Sequence, residues 1–518
     1  MSDTEAREGD VVRRGSAAAP PALESSVGDM DPEAFRRWGR EVVDWVAEYM
    51  ATRENLPVLS RSRPGDLRSQ LPEDPPEEGE DPSLWLQDFQ DMILPGVTHW
   101  NHPGFLAYFA ISGSGPGVLG EMLTAALNVN GMLWRTSPAA TELEEHVVGW
   151  LARLLGLPDS LFGVIQDTAS SSSFAALAAA RHQAFPQVRA HGLTGSAPGR
   201  VYASAEAHSS IEKAVIALGL GQAGLTRIPT DADFRMRPEE LQRAMAEDVE
   251  RGIQPVAVVA TLGTTSTTSV DPLAELLPIA RRHGAWVHVD AAYGGAAAAL
   301  PAFRPHFKGW EEADSIVVNP HKWLFTPVDC SVLFTRRREV LRESLSLVPE
   351  YLRTREEDET TQLMDYGLPL GRRFRALKLW FVLRHFGVRG IRERIAHHIE
   401  LGQRFAGLVD AAPDWIRVAA VPFSTVVFRW APHDSDRDGP GLDDDNRRIM
   451  DAVNARGQVF LSHTRLGERT CLRMSVGNLE TRWSHLETCW TQLVEEAGRL
   501  PRERAGIPGA AAVSPEAS

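Results

Sequence analysis

Between about residue 115 and residue 340 the chain alternates Ala-rich helical stretches with short β-branched runs, and this alternation limits the fold more than any other feature. Four runs read as strands: "RVYAS" (200–204), "PVAVVAT" (255–261), "AWVHVD" (285–290) and "SIVVN" (315–319). Strands separated by helical sequence predict crossover connections, and hence an α/β fold with a mainly parallel sheet flanked by helices. Ligands of such sheets bind at the carboxyl ends of the strands, so the polar residues that end each run are where chemistry is expected.

The flanking sequence differs in character. "DPEAFRRWGREVVDWVAEYM" offers Asp31 as a cap and Pro32 for the first turn, with Phe35, Trp38, Val42, Trp45, Val46 and Tyr49 on one apolar stripe. A Pro/Glu-rich loop at 72–82 separates this helix from a second, "SLWLQDFQDMI". Helical sequence dominates from 372 to about 412; strands near 415–430, 458–464 and 470–476 then alternate with helices up to about 499. The expected organisation is a disordered tail (1–30), an N-terminal helical segment (31–114), a large domain (115–378), a small C-terminal α+β domain (379–500) and a second disordered tail (501–518).

Composition removes several classes of function. A net charge of -15 without a basic stripe argues against nucleic acid and anionic membranes as partners. The three cysteines, Cys330, Cys471 and Cys489, have neither disulfide-framework nor zinc-site spacing, so no metal is expected. No apolar run approaches the ~18 residues of a membrane span. The first residues lack the apolar core of a secretory signal, which leaves the cytoplasm as the expected location.

"GPGVLG" (115–120) matches a dinucleotide fingerprint, but the acid that should end the next strand, Glu142, sits in helical sequence. A glycine-rich entry into a helix is the better reading. "GVIQDTASSSSFAALAAAR" (163–181) is more informative, because small hydroxylated residues at a helix start can cup a phosphate, although ordinary capping explains them too. His208 precedes another helix start, where Ser209 and Glu212 fit a capping box. Thr264 and Thr265 follow one strand, Asp290 ends another, and Lys322 follows a third in "VVNPHKWLF".

A lysine in apolar sequence either snorkels to water or has chemistry to do. Taken with an acid, a histidine, threonines and a phosphate cup on one sheet edge, it matches the needs of pyridoxal phosphate. That cofactor takes a lysine for its aldehyde, an acid for its ring nitrogen, donors for its phosphate and a flat group over its ring.

"NPHKW", "HVDAAYGG", "AHSSIEKA", "TLGTT" and "PLGRRFRALKLWFVLRHFG" resemble, in order, motifs of the group II pyridoxal-phosphate-dependent amino-acid decarboxylases, and most of all the aromatic-L-amino-acid decarboxylase branch. The resemblance spans about 31–498. It implies a fold-type-I, PLP-dependent transferase-like architecture and a homodimer with active sites at the subunit interface. It implies further that Lys322 is the Schiff-base lysine, that Asp290 pairs with the pyridine nitrogen, that His208 stacks on the ring, and that Ala169 and Ser170 hold the phosphate with help from Asn319 and His321. Thr265 and Ala292 would lie against the cofactor. Tyr351, in the charged segment "VPEYLRTREEDETTQ" that reads as a lid, would protonate Cα. The substrate pocket would draw on Trp100, Tyr108, Phe109, Asn130 and Met132, with Gly371 leaving room for a ring.

Three positions depart from the family pattern: Asn130 replaces an apolar residue, Ile111 a threonine and Asp167 a glycine. The implied reaction is decarboxylation of an aromatic L-amino acid to its amine. The alternatives are an aldehyde synthase and a decarboxylase of a histidine-like or acidic amino acid. Lys322 and Asp290 argue against a non-catalytic scaffold.

Overall fold

The computed structural model describes residues 28–347, 359–432 and 439–500. Both expected tails therefore fall almost wholly outside the described residues, as do Tyr351 and most of the charged segment around it.

The N-terminal part contributes α1 (Pro32–Thr52) and α2 (Pro82–Asp88). Asp31 caps α1 by accepting from the Glu33 and Ala34 amides, with Pro32 at the first helical position. Next come α3 (Gly115–Leu127), α4 (Pro138–Leu155), β1 (Phe162–Gln166), α5 (Ala169–Ala184), α6 (Val188–His191), β2 (Gly199–Ser204), α7 (Ser209–Ala217), β3 (Leu225–Ile228) and α8 (Pro238–Glu250). The large unit continues through β4 (Gln254–Thr261), α9 (Leu273–Arg282), β5 (Trp286–Asp290), β6 (Ser315–Val318), α10 (Pro320–Trp323), β7 (Ser331–Thr335) and α11 (Arg338–Leu345).

These strands form one seven-stranded sheet in the order β1-β7-β6-β5-β4-β2-β3. Pairing is parallel from β3 through β6, and β7 alone runs against its neighbours. The carboxyl ends of β1, β2, β4, β5 and β6 consequently share one edge. The four runs recognised in the sequence are β2, β4, β5 and β6. β1, β3 and β7 were not among them, although β7 (SVLFT) is as apolar a run as β6 (SIVV).

Helix α12 (Ala376–Ala411) crosses the expected boundary between the large and small units and kinks at Gly387, whose φ of 63° favours glycine. Beyond it, β8 (Trp415–Arg417), β9 (Thr425–Trp430), α13 (Gly439–Ala455), β10 (Ser462–Leu466), β11 (Arg469–Ser475) and α14 (Trp483–Arg499) build a four-stranded antiparallel sheet covered by helices. The end of the N-terminal part joins this unit rather than standing apart. The Leu106 amide donates to Phe460 O at 2.9 Å, Leu106 O accepts from the Ser475 amide at 2.9 Å, and the Leu106 side chain lies in the small unit's core.

"GPGVLG" is the first turn of α3. A Cβ on Gly120 would stand 2.7 Å from Lys378 Cα, so its glycine serves close packing of α3 on α12.

Candidate active site

The shared strand edge encloses a cavity of about 200 Å³. Its floor is α5, which β1 delivers with Thr168 at the cap in extended conformation and no side-chain capping bond. The first-turn amides at Ala169 and Ser170 thus retain their donors where the helix dipole is positive. Both residues line the cavity.

His208, after β2, also lines it. The structure corrects the capping expectation: His208 itself caps α7, its Nδ1 accepting from the Ser210 amide at 3.2 Å and lying 2.8 Å from Ser210 Oγ. Ser209 is the first helical residue, and Glu212 pairs with Arg227 at 2.7 Å. Burial lowers the His208 pKa, the Asp290 charge opposes this, and Lys322 reinforces it.

From β4 the chain turns at Gly263, whose φ is 107°. Thr264 then faces inward to Thr267 (3.0 Å) and Ser269 (2.9 Å), while Thr265 lines the cavity. Asp290 ends β5 as a buried carboxylate, with Oδ1 accepting from the Ala292 amide at 3.1 Å. Asn319, His321 and Lys322 arrive from β6 through α10. His321 Nδ1 accepts from the Cys330 amide at 2.9 Å and its Nε2 lies 3.3 Å from Asn319 Nδ2; burial holds its pKa at about 4. The amine of Lys322 is pushed down by burial, with Asp290 opposing and Arg473 adding to the shift. Burial disfavours the charged ammonium, so a larger fraction is the nucleophilic free amine.

A column of rings backs the lysine. Phe109 stacks on Tyr293 at 3.8 Å between centroids, and Tyr293 on Trp323 at 4.7 Å. Lys322 Nζ stands 5.4 Å from the Phe109 centroid and the Arg473 guanidinium carbon 4.5 Å from it.

The sequence reading missed Arg473. It is buried on β11, where Nε donates to Thr265 O (3.0 Å) and Ser266 O (3.2 Å) and Nη1 to Tyr108 O. Burial lowers its pKa to about 10, which leaves it charged at neutral pH. Its Nη2 is buried with no hydrogen-bond partner among the described residues. The available signal was the one that exposed Lys322, a lone cation in an apolar run ("TCLRMSV").

Of the six expected pocket residues, Phe109 lines the cavity. Trp100 and Tyr108 stack on one another at 5.7 Å outside it. Asn130, Met132 and Gly371 form a separate group: Asn130 Oδ1 accepts from the Arg372 amide at 2.9 Å, Nδ2 lies 3.5 Å from Met132 Sδ, and a Cβ on Gly371 would meet the Asn130 amide at 3.6 Å.

A donor-rich helix start, a carboxylate and a depressed lysine around one cavity fit pyridoxal phosphate. Two cavity atoms, Asn319 Oδ1 and Thr261 Oγ1, are buried without hydrogen-bond partners among the described residues, as expected of polar groups that contact a ligand. Fold and cavity together define a fold-type-I, pyridoxal-phosphate-dependent enzyme. Residues 64–431 match the family described as pyridoxal-dependent decarboxylase conserved domain. The chain is 40% identical over 484 residues to tyrosine decarboxylase 4 of Petroselinum crispum, covering 91% of this chain and 94% of the relative. It is 40% identical over 481 residues to phenylacetaldehyde synthase of Arabidopsis thaliana, covering 91% and 97%. A crystal structure of Oryza sativa TDC with PLP and tryptamine superposes with a TM-score of 0.88 at 35% identity, covering 91% of this chain and 99% of that one. The chain belongs to the pyridoxal-dependent decarboxylase family and is a PLP-dependent carboxy-lyase.

Proposed function

We propose that the protein decarboxylates an aromatic L-amino acid to the corresponding arylalkylamine and CO2. The observation that carries this reading is the convergence of Asp290 and Lys322 from neighbouring strands on a cavity floored by the α5 start. The aromatic preference rests on the relatives named above.

Lys322 Nζ would hold the cofactor's aldehyde carbon, and Ala169 and Ser170 with the α5 amides would hold its phosphate, assisted by Asn319 and His321. His208, Thr265 and Ala292 would contact its ring, and Asp290 would keep the ring nitrogen protonated. The bound cofactor supplies an electron sink for the pair left on Cα when CO2 departs. Arg473 offers Nη2 to the substrate carboxylate. Tyr351, which lies outside the described residues, would return a proton to Cα. Trp100, Tyr108 and Phe109 border the ring-binding side.

Asn130, Met132 and Gly371 complete the pocket across a homodimer interface. Exposed apolar side chains support that dimer: Phe35 is 66% exposed on α1, and Leu119, Leu123 and Leu127 on α3 are 53%, 47% and 58% exposed. The three leucines repeat every fourth residue and so form one stripe. The proposed units are the N-terminal segment (31–114), the large domain (115–378) and the small domain (379–500), located in the cytoplasm. Among the described residues no helix is long and apolar enough to cross a membrane.

A second reading, oxidative decarboxylation to an aldehyde, is favoured by the similarity to phenylacetaldehyde synthase. It consumes O2 and water and releases aldehyde, CO2, ammonia and hydrogen peroxide. Incubation with tyrosine, phenylalanine, tryptophan and DOPA, with amine, CO2 and peroxide measured together, separates the two. Equal amine and CO2 without peroxide is the expected result; aldehyde with stoichiometric peroxide replaces the first reading by the second.

A further inference from the structure

Behind the cavity lies a histidine that the chemistry above does not use. His288 on β5 is fully buried, two residues before Asp290, so both side chains project from the same face of the strand. Its Nε2 lies 3.0 Å from Ser173 Oγ on α5 and its Nδ1 2.8 Å from Ser315 Oγ on β6. Ser315 Oγ also accepts from Trp286 Nε1 at 2.8 Å. The β5–β6 register places His288 beside Ser315 and Asp290 beside Val317.

One imidazole thereby joins three walls of the site: α5, whose start forms the anion cup; β5, which ends in Asp290; and β6, which leads to Asn319 and Lys322. The serine run divides accordingly. Ser170 lines the cavity, whereas Ser172 and Ser173 are buried and tie α5 to the sheet, Ser172 through a 2.8 Å contact with Ser331.

A purely structural position here would be filled at least as well by an apolar ring. Burying an imidazole against two hydroxyls is costly unless every polar atom is matched, and it then fixes one geometry. We propose that His288 is a positioning residue, a neutral double hydrogen-bond bridge that sets the separation between the anion cup and Asp290 and so how firmly Asp290 keeps the cofactor's ring nitrogen protonated. The proposal rests on the roles given above to Asp290 and α5. Burial is the main force on the imidazole and holds its pKa at about 4, so it stays uncharged while the enzyme works. A cation at this position, about 7 Å along the strand face, would stabilise the Asp290 carboxylate and weaken its hold on that proton.

The test uses holoenzyme loaded with pyridoxal phosphate carrying 15N in the ring, whose resonance reports protonation directly. His288→Phe should keep the ring-shaped volume and lose both bridges. Expected are a 15N resonance moved toward the unprotonated position and a kcat lowered about tenfold with KM little changed, the pattern of a contact that matters in the transition state. Ser173→Ala, which removes the helix-side bond alone, should move the resonance in the same direction by less, and it carries the test if His288→Phe does not fold. A folded variant with an unmoved resonance overturns the proposal, even if its melting temperature falls. Asp290→Asn is the reference: if it too leaves the resonance unmoved, the role of Asp290 itself is wrong, whereas movement there and none in the other variants removes only His288.

Discussion

Arg473→Lys separates recognition of the substrate carboxylate from support of the cavity wall. The native guanidinium uses Nε and Nη1 on the carbonyls of Thr265, Ser266 and Tyr108, which leaves Nη2 without a partner among the described residues. Lysine keeps the charge but lacks the planar fork, so it cannot hold two loops and a carboxylate together. A hydrogen bond to a charged group is worth about 1.5–3 kcal/mol, which corresponds to a loss in kcat/KM of about 10- to 150-fold.

The assay compares two ligands of the same side chain: the amino acid as substrate, and its amine, which lacks the carboxylate, as inhibitor. Arg473→Lys should weaken the amino acid by that factor and leave the inhibition constant of the amine little changed. Parallel weakening of both would refute the carboxylate role and leave Arg473 as a clamp. Arg473→Met supplies the stability side. It strips the donor from three carbonyls, at about 1–3 kcal/mol for each one left unsatisfied, and should lower the denaturation midpoint well below that of Arg473→Lys.

Three further outcomes are expected. Lys322→Ala should abolish turnover together with the borohydride-sensitive visible absorbance of the holoenzyme; retained multiple turnover would remove the lysine from its assigned place. Tyr351→Phe should slow amine formation and divert product toward aldehyde, read by mass spectrometry, and unchanged amine output would assign Cα protonation to another group. His398, whose Nδ1 accepts from Trp323 Nε1 at 3.0 Å, has its pKa lowered by burial to about 3. Below pH 6.5 the unfolded chain binds a proton that the folded chain refuses, so stability from this group is full above 6.5 and is lost as pH falls, by ~3 kcal/mol near pH 4. His398→Gln should flatten that acid limb in urea titrations, and an unaltered slope would show that His398 does not carry it.

What the sequence made legible follows from how local each signal is. Asp31 and Pro32 announce α1 within a single turn, and β-branched runs between helices announce β2, β4, β5 and β6. Strand ends of a parallel sheet necessarily share an edge, so Ala169, His208, Thr265, Asp290 and Lys322 could be grouped before any coordinates. The antiparallel direction of β7 could not be read locally, because one of its partners, β1, lies more than a hundred residues away. Ser209 looked like a cap because Ser-x-x-Glu is a local pattern, but the imidazole one residue earlier already satisfies the Ser210 amide. The residues expected to bind the substrate ring were least legible: Trp100 and Tyr108 stack on one another outside the cavity, and Asn130 and Met132 form a separate group.

The same limit explains why one buried cation was read and the other was not. Lys322 and Arg473 both interrupt apolar runs and both border the Phe109 ring. Lys322 follows a parallel strand through the short α10, where position alone suggests a ligand; Arg473 lies within an antiparallel strand of the small unit, where position suggests none. On the proposed assignment their proximity has a purpose. Arg473 would meet the substrate carboxylate, while Lys322, whose amine feels both the Asp290 and the Arg473 charges, would take the cofactor's aldehyde. When the carboxylate leaves as neutral CO2, the product retains an amine and nothing to offset Arg473. The charge that draws the amino acid in thus disfavours the amine that replaces it, so substrate capture and product release follow from one guanidinium.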